Sequence, residues 1–355
     1  LRELVALHAP ELTSWLPLLG IPLGVEMNDT SQTAALHGEF RVGRAHRVFG
    51  ALVVQAFSVP RVIVIEDAHW LDSASGELLD AVVPDLVAAG WAIVVTRRPE
   101  QTGWRPHVDV VRHELAPIES SSVHQLAIEL SQGHRLPAHV VSTLADRSNG
   151  NPLFLEELIR AVAAGAAAED LPDRIEVLIE AHIDRLTPVQ RRSLQAGAVL
   201  GARFDAELFE DLPGASAADL DGLADFVTID EGEIRFRHAL YRDTAYQTLP
   251  VKERRRLHTY AAEALEVRAG DAPLEFAELL AVHWFNAARY DRAWEYLRAA
   301  GARARTDLAP YEASQFLERA VQCVRHLGPA ERAARFEVEE ELGLIYDTLA
   351  RYDDA

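Results

Sequence analysis

The sequence predicts a mostly helical chain: an α/β half-domain first, then a small helical section, a winged helix and a tetratricopeptide-like α-solenoid. Three observations predict this. Strand, helix and strand follow one another over residues 62–96. A glycine-bearing hairpin at 226–238 interrupts a run of helices, and after residue 256 helical patterns alternate with turns roughly every 20 residues.

Taken in order, Val62 to Ile65 and "WAIVVT" (91–96) are short, β-branched apolar runs of the kind buried strands carry. Between them Asp72 or Ser73 is placed to cap a helix bearing Leu78, Leu79, Val82, Val83 and Leu86. "VDVVRHEL" (108–115) reads as a third, more amphipathic strand. This spacing makes a parallel-sheet unit, and such units carry their functional groups at the carboxyl ends of the strands. Residues 120–168 read as helices starting at Ser122, Pro137 and Asn151-Pro152. From residue 171, Ile175, Leu178, Ile179, His182, Ile183 and Leu186 keep helical spacing, and Thr187-Pro188 opens the next helix as cap and first residue. "FVTIDEGEIRFRH" (226–238) reads as two strands joined by an acidic turn, and helices followed by a hairpin suggest a winged helix. Turns at 288–293, 309–314, 327–332 and 350–355 then divide the chain as a helical-pair solenoid would, with Tyr290, Tyr311 and Tyr352 recurring at three of them. Their spacing is looser than the tetratricopeptide period of about 34 residues, so the array is only tetratricopeptide-like.

A formal charge of −20 on 355 residues argues against a nucleic-acid surface spread over the chain. The strongest basic cluster, "KERRRLH" (252–258), reads as a solvated helix end. Cys323, the single cysteine, forms no internal disulfide, and a cytoplasmic setting is the default. No stretch approaches the roughly 20 apolar residues of a membrane span; "AVAAGAAA" (161–168) is too short. A chain that starts at Leu1 and ends in "ARYDDA" is expected to be a fragment. Only one of its 35 basic residues is lysine, Lys252.

The chemistry concentrates in "RVIVIEDAHWLDSASGELL" (61–79). A rigid strand that ends in paired carboxylates, Glu66 and Asp67, can hold one within reach of a magnesium ion on phosphates while its neighbour orients or deprotonates the attacking water. The plainer alternative is a strand end that turns polar where it meets solvent. A metal hydrolase built on Glu66, Asp67, His69 and Asp72 is disfavoured, because residues along a strand alternate faces and no HExxH spacing occurs. Trp70 is expected to pack.

The segment "IEDAHWLDSASGELL" resembles the Walker B region of the STAND class, AAA+-related signal-transduction ATPases with numerous domains, as carried by multidomain bacterial nucleotidyl cyclases and LuxR-type regulators. The resemblance continues in order along the chain. "VVTRRPE" (94–100) is similar to the family's next strand, which implies a sensor arginine at Arg98, with Arg97 as the alternative. "SNGNPLFLEEL" (148–158) resembles its Gly-Asn-Pro lid segment, so Pro152 would pack on adenine. "RFRHALYRDTAY" (235–246) resembles the segment after the wing and implies that His238 contacts the β-phosphate of ADP. In these terms residues 1–117 are the C-terminal part of a P-loop NTPase domain with Walker B and sensor strands. Residues 118–168 are a helical lid, 169–265 a winged-helix domain, and 266–355 incomplete tetratricopeptide-like repeats. The implied cofactors are Mg2+ and ATP or ADP, with Glu66 and Asp67 as the metal ligands. Many AAA+ proteins place Asp first and Glu second in this pair; here the order is reversed, which leaves the division of roles between the two open.

The phosphate-binding loop of this class, G-x-x-x-x-G-K-[ST], does not occur in the 355 residues. The expectation is that the chain begins just after such a loop, and that alone it binds ATP poorly. The implied protein is a switch: ADP holds it closed, ATP and a protein or small-molecule signal on the helical array open it, and an attached effector responds. The "EDAHWLDSASGELL" and "RDTAYQTLPVKERRRLH" segments look more like cyclase-linked members, which points to a class III adenylate or guanylate cyclase. Alternatives are a LuxR-type regulator, or a non-hydrolysing scaffold whose concave helical surface binds peptides.

Overall fold

In the computed structural model, which describes residues 1–23, 25, 27–36, 38–57, 59, 61–98, 104–130, 136–306 and 309–348, the chain is mostly helical. The elements begin with α1 (Arg2–His8), α2 (Leu16–Gly20), α3 (Gly38–Ala56), β1 (Val62–Ile65), α4 (Ser73–Ala88) and β2 (Ala92–Val95). They continue with α5 (Ser120–Leu130), α6 (Ala138–Ser148), α7 (Pro152–Ala163), α8 (Ile175–Arg185), α9 (Pro188–Leu200), β3 (Arg203–Asp205), α10 (Ala206–Glu210), β4 (Val227–Asp230) and β5 (Glu233–Phe236). The remainder is α11 (Ala239–Gln247), α12 (Val251–Ala269), α13 (Ala277–Asn286), α14 (Tyr290–Thr306), α15 (Pro310–Val324) and α16 (Pro329–Thr348). Two units result: Leu1–Arg112 with Trp294–Ala355, and His113–Ala293.

In the first unit β1 and β2 pair in parallel, with Val62 opposite Ala92 and Ile65 opposite Val95. The connection works because Asp72 caps α4: its carboxylate accepts from the Ser75 N–H at 2.6 Å and from the Ser75 hydroxyl at 2.7 Å. From α4, Val82 and Leu86 then pack with Trp91, Phe49 and Val53 against Ile63 and Ile93. That layer covers one face of the sheet only. Val62 and Val64 remain 66% and 56% exposed, so the expectation of strands buried on both faces is corrected. A continuous apolar run equips both faces for burial, but helices meet only one of them among the described residues.

The predicted third strand at 108–115 does not form. Alternation alone does not make a strand; a neighbouring edge must take up its backbone groups. Among the described residues this sheet has two strands, β1 and β2, and Val110, Val111 and Leu115 stay exposed. The last predicted turn, 350–355 with Tyr352, lies outside the described residues, as do Pro99 and Glu100. The other predicted turns are corrected: only residues 288–289, 309 and 327–328 lie between helices, while Tyr290 already opens α14 and Tyr311 is the second residue of α15. Leu317, Ala320, Cys323 and Val324 of α15 are buried, as are Val338, Leu342 and Ile345 of α16.

In the second unit, α5, α6 and α7 share a core of Val123, Val141, Leu144, Phe154, Leu155 and Leu158. A larger core follows, built from Ile179, Ile183, Leu194, Phe204, Phe209, Phe226, Ile234 and Tyr241. Its sheet is antiparallel in the order β3–β5–β4, and the hairpin turns through Glu231 (φ 46) and Gly232 (φ 88). Positive φ at both positions suits a two-residue turn that follows the strands' twist. Thr187 and Gln190 form a reciprocal capping box at the start of α9, as Thr187-Pro188 predicts. Lys252 is exposed in the first turn of α12.

Candidate functional site: two carboxylates and a strand-tip arginine

At the end of β1 the chain turns sharply, and Asp67 adopts the left-handed conformation (φ 52, ψ 40). Aspartate tolerates this region better than most residues, because its short polar side chain bonds locally. Thr96, just past β2, clamps the turn at three points. Its N–H donates to Ile65 O (2.9 Å), its carbonyl accepts from the Ala68 N–H (2.8 Å), and its hydroxyl oxygen accepts from the Asp67 N–H (3.0 Å). Glu66 and Asp67 are thereby fixed at the carboxyl edge of the sheet with both side chains exposed.

His69 sits behind them, its side chain fully buried. Nδ1 accepts from the Arg98 N–H at 3.4 Å and lies 4.0 Å from Asp67 Oδ1, so the two strand tips are joined through one imidazole. Nε2 has no hydrogen-bond partner among the described residues. Arg98 is exposed at the tip of β2, whereas Arg97 turns back to donate to the Trp104 carbonyl at 3.2 Å. Trp104 in turn donates from Nε1 to Asp80 Oδ1 at 3.0 Å. Trp70 is 74% exposed, so its expected packing role is corrected: it stands outside, touching only the edge of the site through His69, with ring centroids 5.1 Å apart.

Pro152 and His238 belong to the second unit. Pro152 is the first residue of α7, behind Asn151, whose side chain accepts from the Phe154 N–H at 3.2 Å. The approach runs through Asn149 (φ 48) and Gly150 (φ 73). His238 occupies the cap position of α11, exposed, with its ring edge-on to Tyr241 at 5.4 Å.

Behind these two helix starts lies a buried ionic cluster that the sequence reading missed. Glu157 is 1% exposed, and its Oε1 accepts from the Tyr241 hydroxyl (2.8 Å) and from Arg160 Nη1 (3.0 Å). His182 Nδ1 lies 3.3 Å from Oε2, and His182 Nε2 lies 3.7 Å from Asp225 Oδ2. Burial pushes the Glu157 carboxyl up, but His182, Tyr241 and Arg160 outweigh it and hold the carboxyl below its usual range. Burial, followed by the Glu157 charge, pushes the Tyr241 phenol upward. A signal existed: Glu157 falls three residues after Phe154 and four before Ala161, on the apolar stripe of α7, where an unpaired carboxylate is not tolerated.

Among the described residues no group of three or more histidine, cysteine or acidic side chains is arranged to hold a metal by itself, and no helix is long and apolar enough to cross a membrane. Magnesium takes one or two carboxylates together with substrate phosphates, and the Glu66–Asp67 pair fits that demand. The phosphate cradle itself has no counterpart in the 355 residues.

No family model matches the chain. It is 27% identical over 320 residues to an uncharacterized protein of Rhizobium meliloti (strain 1021), a match covering 82% of this chain and 30% of that protein. Among solved structures it is similar to the crystal structure of a Signal Transduction ATPase with Numerous Domains (STAND) protein with a tetratricopeptide repeat sensor from Pyrococcus horikoshii. That likeness has 14% identity and a TM-score of 0.49, and it covers 91% of this chain and 51% of the other. The chain thus spans under a third of the curated relative and about half of the solved one.

Proposed function

We propose that these residues are the Walker B, lid, winged-helix and sensor part of a STAND-type ATPase switch that regulates an attached effector, with a class III nucleotidyl cyclase as the first candidate. The observation that carries the reading is the pair of strand tips: Glu66 and Asp67 just past β1, held by Thr96 and joined through His69 to the backbone of Arg98 just past its parallel neighbour. One carboxylate would hold magnesium, which neutralises phosphate charge when bound, and the other would orient the attacking water. The Arg98 guanidinium can make a bidentate contact to phosphate. Pro152 would meet the base and His238 the β-phosphate of ADP.

A scaffold without hydrolysis is favoured by one observation, the absence of a glycine-rich phosphate loop from the 355 residues. Steady-state ATP turnover by the natural polypeptide that contains these residues separates the two readings. Asp67→Asn and Glu66→Gln should each lower kcat, by roughly tenfold or more. Turnover that neither change lowers sinks the Walker B reading, and no turnover by the unaltered polypeptide leaves the scaffold.

A further inference from the structure

We infer that Glu157 and Tyr241 are positioning residues, which hold the two helix starts bearing Pro152 and His238 in one fixed relation. The inference rests on the nucleotide-switch reading above and deepens it. Glu157 is five residues into α7 from Pro152, and Tyr241 is three residues past His238 at the cap of α11. At about 1.5 Å of rise per residue, their bond sits about one turn inside each helix. It joins residues 84 apart in sequence, at 2.8 Å, with both side chains 1% exposed.

Stability alone does not call for this arrangement. A leucine against a phenylalanine would fill the same space without desolvating a carboxylate, and buried ionic groups are often no more stabilising than apolar replacements of their size. What a directed bond adds is register. Apolar contacts carry no direction, whereas Glu157 Oε1 takes directed bonds from Tyr241 and Arg160, with His182 Nδ1 3.3 Å from Oε2. His182 and Arg160 also reach Asp225, so α7, α8 and the segment before β4 are drawn into the same joint. On the other side the Tyr241 ring meets His238 edge-on and carries the orientation to the exposed imidazole. A nucleotide touched at its base by Pro152 and at its β-phosphate by His238 would depend on that spacing.

The test uses the natural polypeptide and reads two quantities: the rate at which it releases a fluorescent ADP analogue, and its thermal midpoint. Tyr241→Phe should speed release about tenfold, the factor that corresponds to losing one hydrogen bond to a buried charge. Phe209→Leu, in the core that Tyr241 shares, lowers the midpoint without touching the joint and should leave release unchanged. Glu157→Gln keeps an acceptor for Tyr241 and should release ADP more slowly than Glu157→Leu, even if the leucine variant melts higher. Release that follows the melting order, or that ignores Tyr241→Phe and Glu157→Leu alike, overturns the inference and leaves the switch reading standing. A folded wild-type polypeptide that binds no ADP overturns both.

Discussion

At the scale of single residues, the turn into α7 depends on Gly150. Its φ is +73, and an added Cβ would stand 2.7 Å from the Ile118 carbonyl oxygen, which itself accepts no relief from a flexible neighbour because it is backbone. Gly150→Ala combines left-handed strain with a backbone clash and should cost about 2 kcal/mol or more, read as a lower urea midpoint with an unchanged m-value. Cys323 makes the opposite kind of point. It is fully buried, and burial pushes its thiol up to about 12, so it stays protonated and inert. Iodoacetamide should leave it unmodified in the native chain and label it once the chain is unfolded, which intact mass spectrometry resolves. Arg98 was picked out, ahead of Arg97, by the resemblance of its segment to the family's next strand, and Glu66 and Asp67 were legible because they follow where an apolar strand stops. Glu157 was not: its meaning depends on His182, Tyr241 and Asp225, which the chain supplies from 25 to 84 residues away.

At the scale of elements, three helices with a side-chain cap begin where the sequence says. Asp72, Asn151 and Thr187 each accept from the backbone N–H three residues on, and that bond is local, so no tertiary knowledge is needed to foresee it. Thr187→Ala removes one half of a capping box and should lower stability by about 1 kcal/mol in chemical denaturation, whereas Thr187→Ser should lose much less. Strands fare differently because they depend on neighbours. Val62 to Ile65 and Ala92 to Val95, both continuous apolar runs, find each other, but the more amphipathic 108–115 finds no edge and stays irregular. The exposed faces of Val62, Val64 and Val94 show the same limit: a sequence announces that a face is apolar without announcing what covers it.

At the scale of the molecule, acid sensitivity should be set in large part by a histidine pair between α12 and α13. His258 Nδ1 and His283 Nδ1 are 3.0 Å apart, and His258 Nε2 is 3.0 Å from the Tyr246 hydroxyl. Both rings are buried, and burial first, then their mutual charge and the nearby Arg242 and Arg254, lowers His258 to about 3; burial lowers His283 to about 4. The folded values lie below the unfolded 6.5, so the fold holds the neutral forms. Stability is therefore complete above about pH 6.5 and declines as pH falls towards 4, by on the order of 1 kcal/mol per pH unit for each ring. Melting curves from pH 7 to pH 5 should show this decline, and replacing both histidines with leucine should flatten it. An unchanged slope would assign the sensitivity to other groups. Lys252 carries a consequence of another kind. Because it is the single lysine of the 355 residues and stands exposed at the start of α12, an amine-reactive dye finds one lysine side chain to attach to within them. The chain thus comes with its own optical address, placed a few residues after the helix that His238 caps, where a change in fluorescence polarisation or energy transfer would report how that helix end moves.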